Sequence, residues 1–147
     1  MRFFGVSNFT RSQVSLLSRY TDLVNHQLEI SLNQLSPIQN GLLDQCINKK
    51  ITPTAWSPLG GGVFFDKSSS PSKERVISMC KSLQEKYSCT LDQLLLAFLT
   101  KHPARIIPVM GTTKVLRLAT ALESYSVELS HEDWYKLYEA QTGQEVA

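Results

Sequence analysis

The groups best suited to holding an anion lie in residues 105–117, which read Arg-Ile-Ile-Pro-Val-Met-Gly-Thr-Thr-Lys-Val-Leu-Arg. An apolar run over 106–110 stops at Gly111, and Thr112, Thr113 and Lys114 then lead into a helical pattern. Backbone N–H groups at a helix start lack intrahelical partners, and the helix dipole adds positive potential there. Lys114 and Arg117 add full charge, and a guanidinium can grip phosphate oxygens bidentately. The same residues also suit an ordinary strand-to-helix turn capped by Thr112 or Thr113. A second set is uncharged. Ser7, Asn8 and Gln27 are hydrogen-bonding groups, and an asparagine or glutamine amide both donates and accepts, which suits a neutral amide ligand. Trp56 offers a flat indole for stacking on a planar heterocycle. The Gly60-Gly61-Gly62 backbone can approach a phosphate closely because no Cβ stands in the way. Amide binder, ring stacker, backbone cradle and basic phosphate site, in that order, describe a dinucleotide. Each has an ordinary alternative: Asn8 can cap a helix, Gln27 can satisfy core backbone, and Trp56 can be core. Only their joint placement favours the ligand.

Positioning these groups requires alternating strands and helices. The first strand is expected over residues 2–6, followed by a helix from the N-cap Thr10 to about residue 20. The second strand covers 22–30, a break runs over 31–37, and a helix covers 41–49. The third strand, 52–57, is closed by Pro58, and the loop of 60–71 that follows is polar and of a lid or cofactor-wrapping type. Helices over 72–87 and, capped by Thr90, 91–101 precede a fourth strand at 106–110 and a helix at 114–124. A last helix runs from Ser130 to about residue 142, with Asp133 in the capping-box position and Gly143 beyond its end. Strands regularly alternating with helices imply a parallel sheet covered by helices. Four such units fit an open doubly wound sheet or half of a (β/α)8 barrel, which takes about 250 residues. Either places ligands at the carboxyl ends of the strands, where Ser7, Asn8, Gln27, Trp56 and the 110–117 stretch fall.

The totals narrow the function classes. The chain has 147 residues, 42% hydrophobic and 19% charged, as expected of a globular domain rather than a disordered chain. A net charge of +2 is too small and dispersed to argue for nucleic acid or a membrane surface. No apolar run approaches a bilayer's thickness, and the first residues do not read as a signal peptide. Cys46, Cys80 and Cys89 are odd in number and far apart, so neither a disulfide framework nor a zinc site is expected. Reduced thiols and a cytoplasmic location are the expectation, with no metal.

Four segments together resemble the aldo-keto reductases, particularly their bacterial oxidoreductase members. They are Gly5-Val6-Ser7-Asn8-Phe9, Gln27-Leu28-Glu29, Ala55-Trp56-Ser57-Pro58-Leu59-Gly60, and Ile107-Pro108-Val109-Met110-Gly111-Thr112-Thr113-Lys114. Their order and separations are similar to the second half of that family's barrel. The resemblance implies a partial (β/α)8 (TIM) barrel, the last four β/α units plus a C-terminal helix, as one domain over 1–147. It implies that Ser7, Asn8 and Gln27 hold a nicotinamide carboxamide and that Trp56 takes the ring-stacking position, more often Tyr. Ser57, Leu59 and Gly61 would lie along the pyrophosphate. Thr112, Thr113, Lys114 and Arg117 would receive the adenosine 2′-phosphate, with Gly111 beside them among the cofactor-binding residues, so the implied cofactor is NADP(H). Ala121 stands where many members have Asn. The family's Tyr, Lys, Asp and His for carbonyl reduction come from the first half, so this chain is expected to be a fragment without catalytic residues. A carbonyl substrate would then require an N-terminal half. A non-catalytic NADPH-binding or regulatory subunit is the alternative, and open sheet edges invite self-association.

Overall fold

A computed structural model describes residues 2–66 and 70–146. Four strands, β1 (Phe4–Ser7), β2 (Leu23–Glu29), β3 (Thr52–Trp56) and β4 (Ile107–Pro108), form one sheet in the order β1-β2-β3-β4. Every neighbouring pair is parallel. The helices are α1 (Arg11–Leu17), the single turn α2 (Ser36–Gln39), α3 (Leu42–Lys49), α4 (Pro71–Tyr87), α5 (Leu91–Thr100), α6 (Val115–Glu123) and α7 (His131–Thr142). Short 3-10 turns lie at Gly60–Gly62 and Ser124–Ser126.

Alternation along the strands shows which face is covered. In β2, His26 and Leu28 are buried while Asn25, Gln27 and Glu29 are half-exposed. In β3, Pro53 and Ala55 are buried while Thr54 and Trp56 are half-exposed. One sheet face therefore packs on helices and the other is open. A doubly wound sheet reverses its strand order and carries helices on both faces. Sequential order with one bare face is instead a segment of a barrel wall.

The covered face holds the main core. Leu28, Ile30, Ala55 and Ile106 meet α5, whose residues 94–99 are all within about one per cent of full burial. A helix apolar all round must be enclosed all round, and α5 is wedged between the sheet and α7. There Trp134 stacks on Phe98 with centroids 4.8 Å apart and on Tyr138 at 5.6 Å. Its indole N–H donates to the Phe98 carbonyl at 2.8 Å. A smaller cluster, Val14, Leu23, Cys46 and Ile51, seats α1 and α3.

Several boundaries differ from the sequence expectations. The first strand sits two residues later at its start and reaches Ser7, and α1 ends at Leu17 rather than near residue 20. Within the expected break, Pro37 early in the turn helps set α2. The fourth strand is two residues long, not five. Arg105 has φ 55°, which breaks the extended run before it can lengthen. Helix α6 begins at Val115, with Lys114 itself as the N-cap and no side-chain cap. Thr112 does not cap the helix but accepts the Lys114 N–H at 3.2 Å. Ser130 caps α7 as expected, yet the Asp133 carboxylate does not return to the cap and turns to α4. Part of the expected 60–71 loop, residues 67–69, lies outside the described residues.

Candidate cofactor site

The carboxyl ends of the strands open into two cavities. At the β3 and β4 end, Ser57, Leu59, Gly61, Gly111, Thr112 and Arg117 share the lining of a space of about 680 Å³. At the β1 and β2 end, Asn8 and Trp56 share a space of about 660 Å³. Ser7, Gln27, Thr113 and Lys114 line neither. Ser7, Thr113 and Lys114 are exposed and Gln27 is half-buried on the open sheet face.

Two strand exits are held in an unusual backbone conformation. Asn8 has φ 54° and Ser57 φ 49°, left-handed values that non-glycine residues rarely adopt. At β1 the turn is fixed by three bonds. The Asn8 N–H donates to the Gln27 carbonyl at 2.9 Å, and the Phe9 N–H donates to His26 Nε2 at 3.2 Å. The Trp56 indole N–H donates to Asn8 Oδ1 at 3.2 Å. The asparagine oxygen is thereby occupied, and its NH2 is left to face a ligand acceptor. The indole plane is anchored at its polar tip, so a stacking partner meets a pre-oriented ring.

His26 accepts with Nε2, so its hydrogen sits on Nδ1, which is buried without a partner. Burial lowers its pKa, which keeps the ring neutral and able to accept. It is a positioning group for the Asn8 turn, not a group aimed at either cavity.

The cradle at β3 follows from three glycines. Gly60, Gly61 and Gly62 all have positive φ, and a Cβ at Gly60 would stand 3.0 Å from the Asn33 Cβ. A Cβ at Gly61, Gly62 or Gly111 would meet nothing within 4 Å, so the space over these backbones is open. Gly60 N–H donates to the Ser57 carbonyl and Gly62 N–H to the Leu59 carbonyl. The Gly61 N–H has no partner among the described residues. Across the cavity, Arg117 projects from the first turn of α6, and Thr112 stands half-buried beside it.

Sequence reasoning missed Phe65 and Asp92 in this lining. Asp92 sits in the first turn of α5, where its hydroxyl partner Thr90 marks a helix cap. Only the approach of α5 to the strand ends turns it toward the cavity. At the other end, Arg11, Gln34 and Asn40 line the second cavity unforeseen. Among the described residues no tyrosine lines either space; Tyr87 and Tyr138 are hydrogen-bonded among the outer helices. None holds three or more groups of metal-ligating type together. Cys46 and Cys80 are buried free thiols, pushed up by burial to about 11 and about 12. No helix is long and apolar enough to cross a membrane among the described residues.

The residues present fit a dinucleotide. Two connected strand ends provide an anchored indole and a free amide at one end. An open glycine backbone with an unpaired N–H and a guanidinium stand at the other.

Comparison with known proteins agrees in extent. The model of the Aldo/keto reductase family matches residues 1–141. An uncharacterized oxidoreductase of Bacillus subtilis, YcsN, is 36% identical over 99% of this chain and 49% of its own length. A 6-dehydroglucose reductase of Agrobacterium fabrum is 34% identical, over 97% of this chain and 48% of its own. The oxidoreductase YdhF of Escherichia coli is 30% identical over 99% and 49%. A thermostable aldo-keto reductase solved with the inhibitor epalrestat superposes with a TM-score of 0.80 at 24% identity, over 95% of this chain and 48% of that one. The chain spans about half the length of the relatives it matches.

Proposed function

Because the chain belongs to the aldo/keto reductase family, we propose that it is the cofactor-gripping half of an NADP(H)-dependent carbonyl oxidoreductase. The observation that carries this is the single cavity joining Ser57, Gly61, Thr112 and Arg117 across the ends of β3 and β4. Arg117 would pair with the 2′-phosphate, with Thr112 donating beside it and Lys114 adding charge at the rim. The Gly61 N–H and the open backbone of Gly61 and Gly111 would receive the pyrophosphate. Trp56 would lie against the nicotinamide ring and Asn8 would hold its carboxamide, with Ser7 and Gln27 reaching from the open sheet face. The nicotinamide, once bound, supplies the hydride for a carbonyl carbon.

Protonating the carbonyl oxygen needs a general acid within hydrogen-bond reach. The carboxylates that line the two cavities are Asp92 and Glu29. Neither stands in the pairing with a lysine that would tune a proton donor, and no tyrosine is near. In this reading the chain binds and orients, and the proton comes from strand ends that its residues do not form.

Titration of the chain with NADPH should quench Trp56 fluorescence, and NADH should bind more weakly. Arg117→Ala should weaken NADPH by ~10–100-fold, the worth of a charge-assisted hydrogen bond, while leaving NADH unchanged. Equal affinity of the unaltered chain for both cofactors would remove the 2′-phosphate reading. NADPH oxidation by the chain with a nitrobenzaldehyde should not exceed the protein-free rate; turnover would overturn the division between grip and chemistry. A sugar aldehyde belongs among the probes, since relatives include 6-dehydroglucose reductases.

A further inference from the structure

Of the polar side chains that line the cavity at the ends of β3 and β4, Ser57, Thr112 and Arg117 can all serve phosphate oxygens, and Asp92 cannot. A carboxylate only accepts hydrogen bonds, and it repels a phosphate. An occupant of the cavity must therefore meet Asp92 with a donor, or leave its charge desolvated without a partner.

Asp92 is half-buried and its place is fixed. The Thr90 hydroxyl donates to its Oδ1. The adjoining Gln93 accepts the Thr90 N–H at 2.8 Å and donates to Glu123 Oε2, at the end of α6, also at 2.8 Å. The start of α5 is thereby tied to the helix that carries Arg117, so acid and base hold set positions in one cavity. Among the described residues Asp92 Oδ2 has no partner, and neither Asp92 nor Arg117 stands in an ion pair.

With the phosphates of NADP(H) against Arg117 and the glycine backbone, the adenosine end offers two kinds of donor. A ribose hydroxyl sits on the ring that bears the 2′-phosphate, where two negative groups would face each other. The exocyclic amino group lies at the far edge of the adenine, the part of the nucleoside most distant from that phosphate. The rest of the lining suits a base. Phe65, half-exposed, and Met110 give an aromatic and a thioether surface for a flat heterocycle. Ala121 on α6 lines the separate hollow behind β4 and brings only a methyl group, so the acceptor for the base comes from α5.

We propose that the Asp92 carboxylate accepts a hydrogen bond from the adenine amino group of bound NADP(H) and so selects adenine against 6-oxopurines. A 6-oxo group is itself an acceptor, and two acceptors with no proton between them repel. Asp92 is then a specificity-determining residue for the base, separate from the grip of Arg117 on the 2′-phosphate. This role rests on the reading of the cavity as the cofactor site.

Isothermal titration of the 147-residue chain with NADPH and with reduced nicotinamide hypoxanthine dinucleotide phosphate compares two ligands that differ only in the base. The unaltered chain should bind NADPH ~10–100-fold more tightly, the worth of a hydrogen bond to a charged group. Asp92→Ala should weaken NADPH and bring the two ligands together. Asp92→Asn, whose amide can donate to a 6-oxo group, should gain affinity for the hypoxanthine ligand, a gain that damage to α5 would not produce. Equal binding of both ligands by the unaltered chain would overturn the role of Asp92 and leave the cofactor site standing. Discrimination that survives Asp92→Ala would overturn it as well. So would an Asp92→Ala chain that binds NADPH more tightly and NADH less, which would set the carboxylate against the ribose. A chain that binds none of these dinucleotides would overturn the cofactor site and the role of Asp92 together.

Discussion

Asp133 is 1% exposed, and burial by itself would push its carboxyl pKa up. Hydrogen bonds from Lys86, Tyr87, Lys136 and Ser130 outweigh that and hold it well below its ordinary value of 3.8. Lys86 Nζ stands 2.5 Å from Oδ2, and the Tyr87 hydroxyl donates to the same oxygen at 2.7 Å. A carboxyl depressed in the folded state contributes stability at pH values above the unfolded pKa, and that stability is lost as pH falls below it. Acid unfolding of the chain should therefore include a step below pH 4 that Asp133→Asn removes. At neutral pH the substitution should cost about 2–3 kcal/mol in urea unfolding, since the surrounding donors lose a charged acceptor. The spacing Ser130 to Asp133 reads as a local capping box, and the serine half of that reading is what the structure has. The aspartate half failed because its stronger partners are 46 and 47 residues away, a distance no local pattern registers. Asn8 and Trp56 were legible as separate ligand-binding types, whereas the bond that ties them spans 48 residues and had no local signal.

At the scale of elements, helices announced by N-caps begin where expected. Thr10 and Thr90 both cap through complete capping boxes, and Gly143 ends α7 in the left-handed conformation. Elements defined by apolar runs alone fared worse. The run at 106–110 contains only two paired residues, because a strand's length depends on its neighbours and β4 has one. Helix α5 is buried along residues 93–99. Trp134 clamps it by stacking on Phe98 and by donating to its carbonyl. Trp134→Ala should destabilise the chain by about 3–5 kcal/mol and lower the urea midpoint with little change in the denaturant slope. A slope that fell sharply instead would show that α7 had come away before the rest. Trp134 lines neither cavity, so NADPH affinity under native conditions should survive the substitution.

For the whole molecule, alternation of strands and helices was enough to give a parallel sheet, and the resemblance chose barrel over open sheet. The structure supplies the physical ground for that choice in the uninterrupted order of β1 to β4 and the single covered face. What the alternation could not show is how much apolar surface both flanks keep exposed, since Leu16, Leu116 and Leu122 read locally as ordinary core-facing helix positions. The left-handed turns at Asn8 and Ser57 carry a different consequence. Each holds a residue with a Cβ where glycine would rest more easily, by ~1 kcal/mol. A library screened only for surviving heat would drift toward glycine at 8 and 57 and come out hardier. If Asn8 and Ser57 hold the cofactor as proposed, one screened for retention on an immobilised nucleotide would keep both side chains, and endurance and grip would pull these two positions in opposite evolutionary directions.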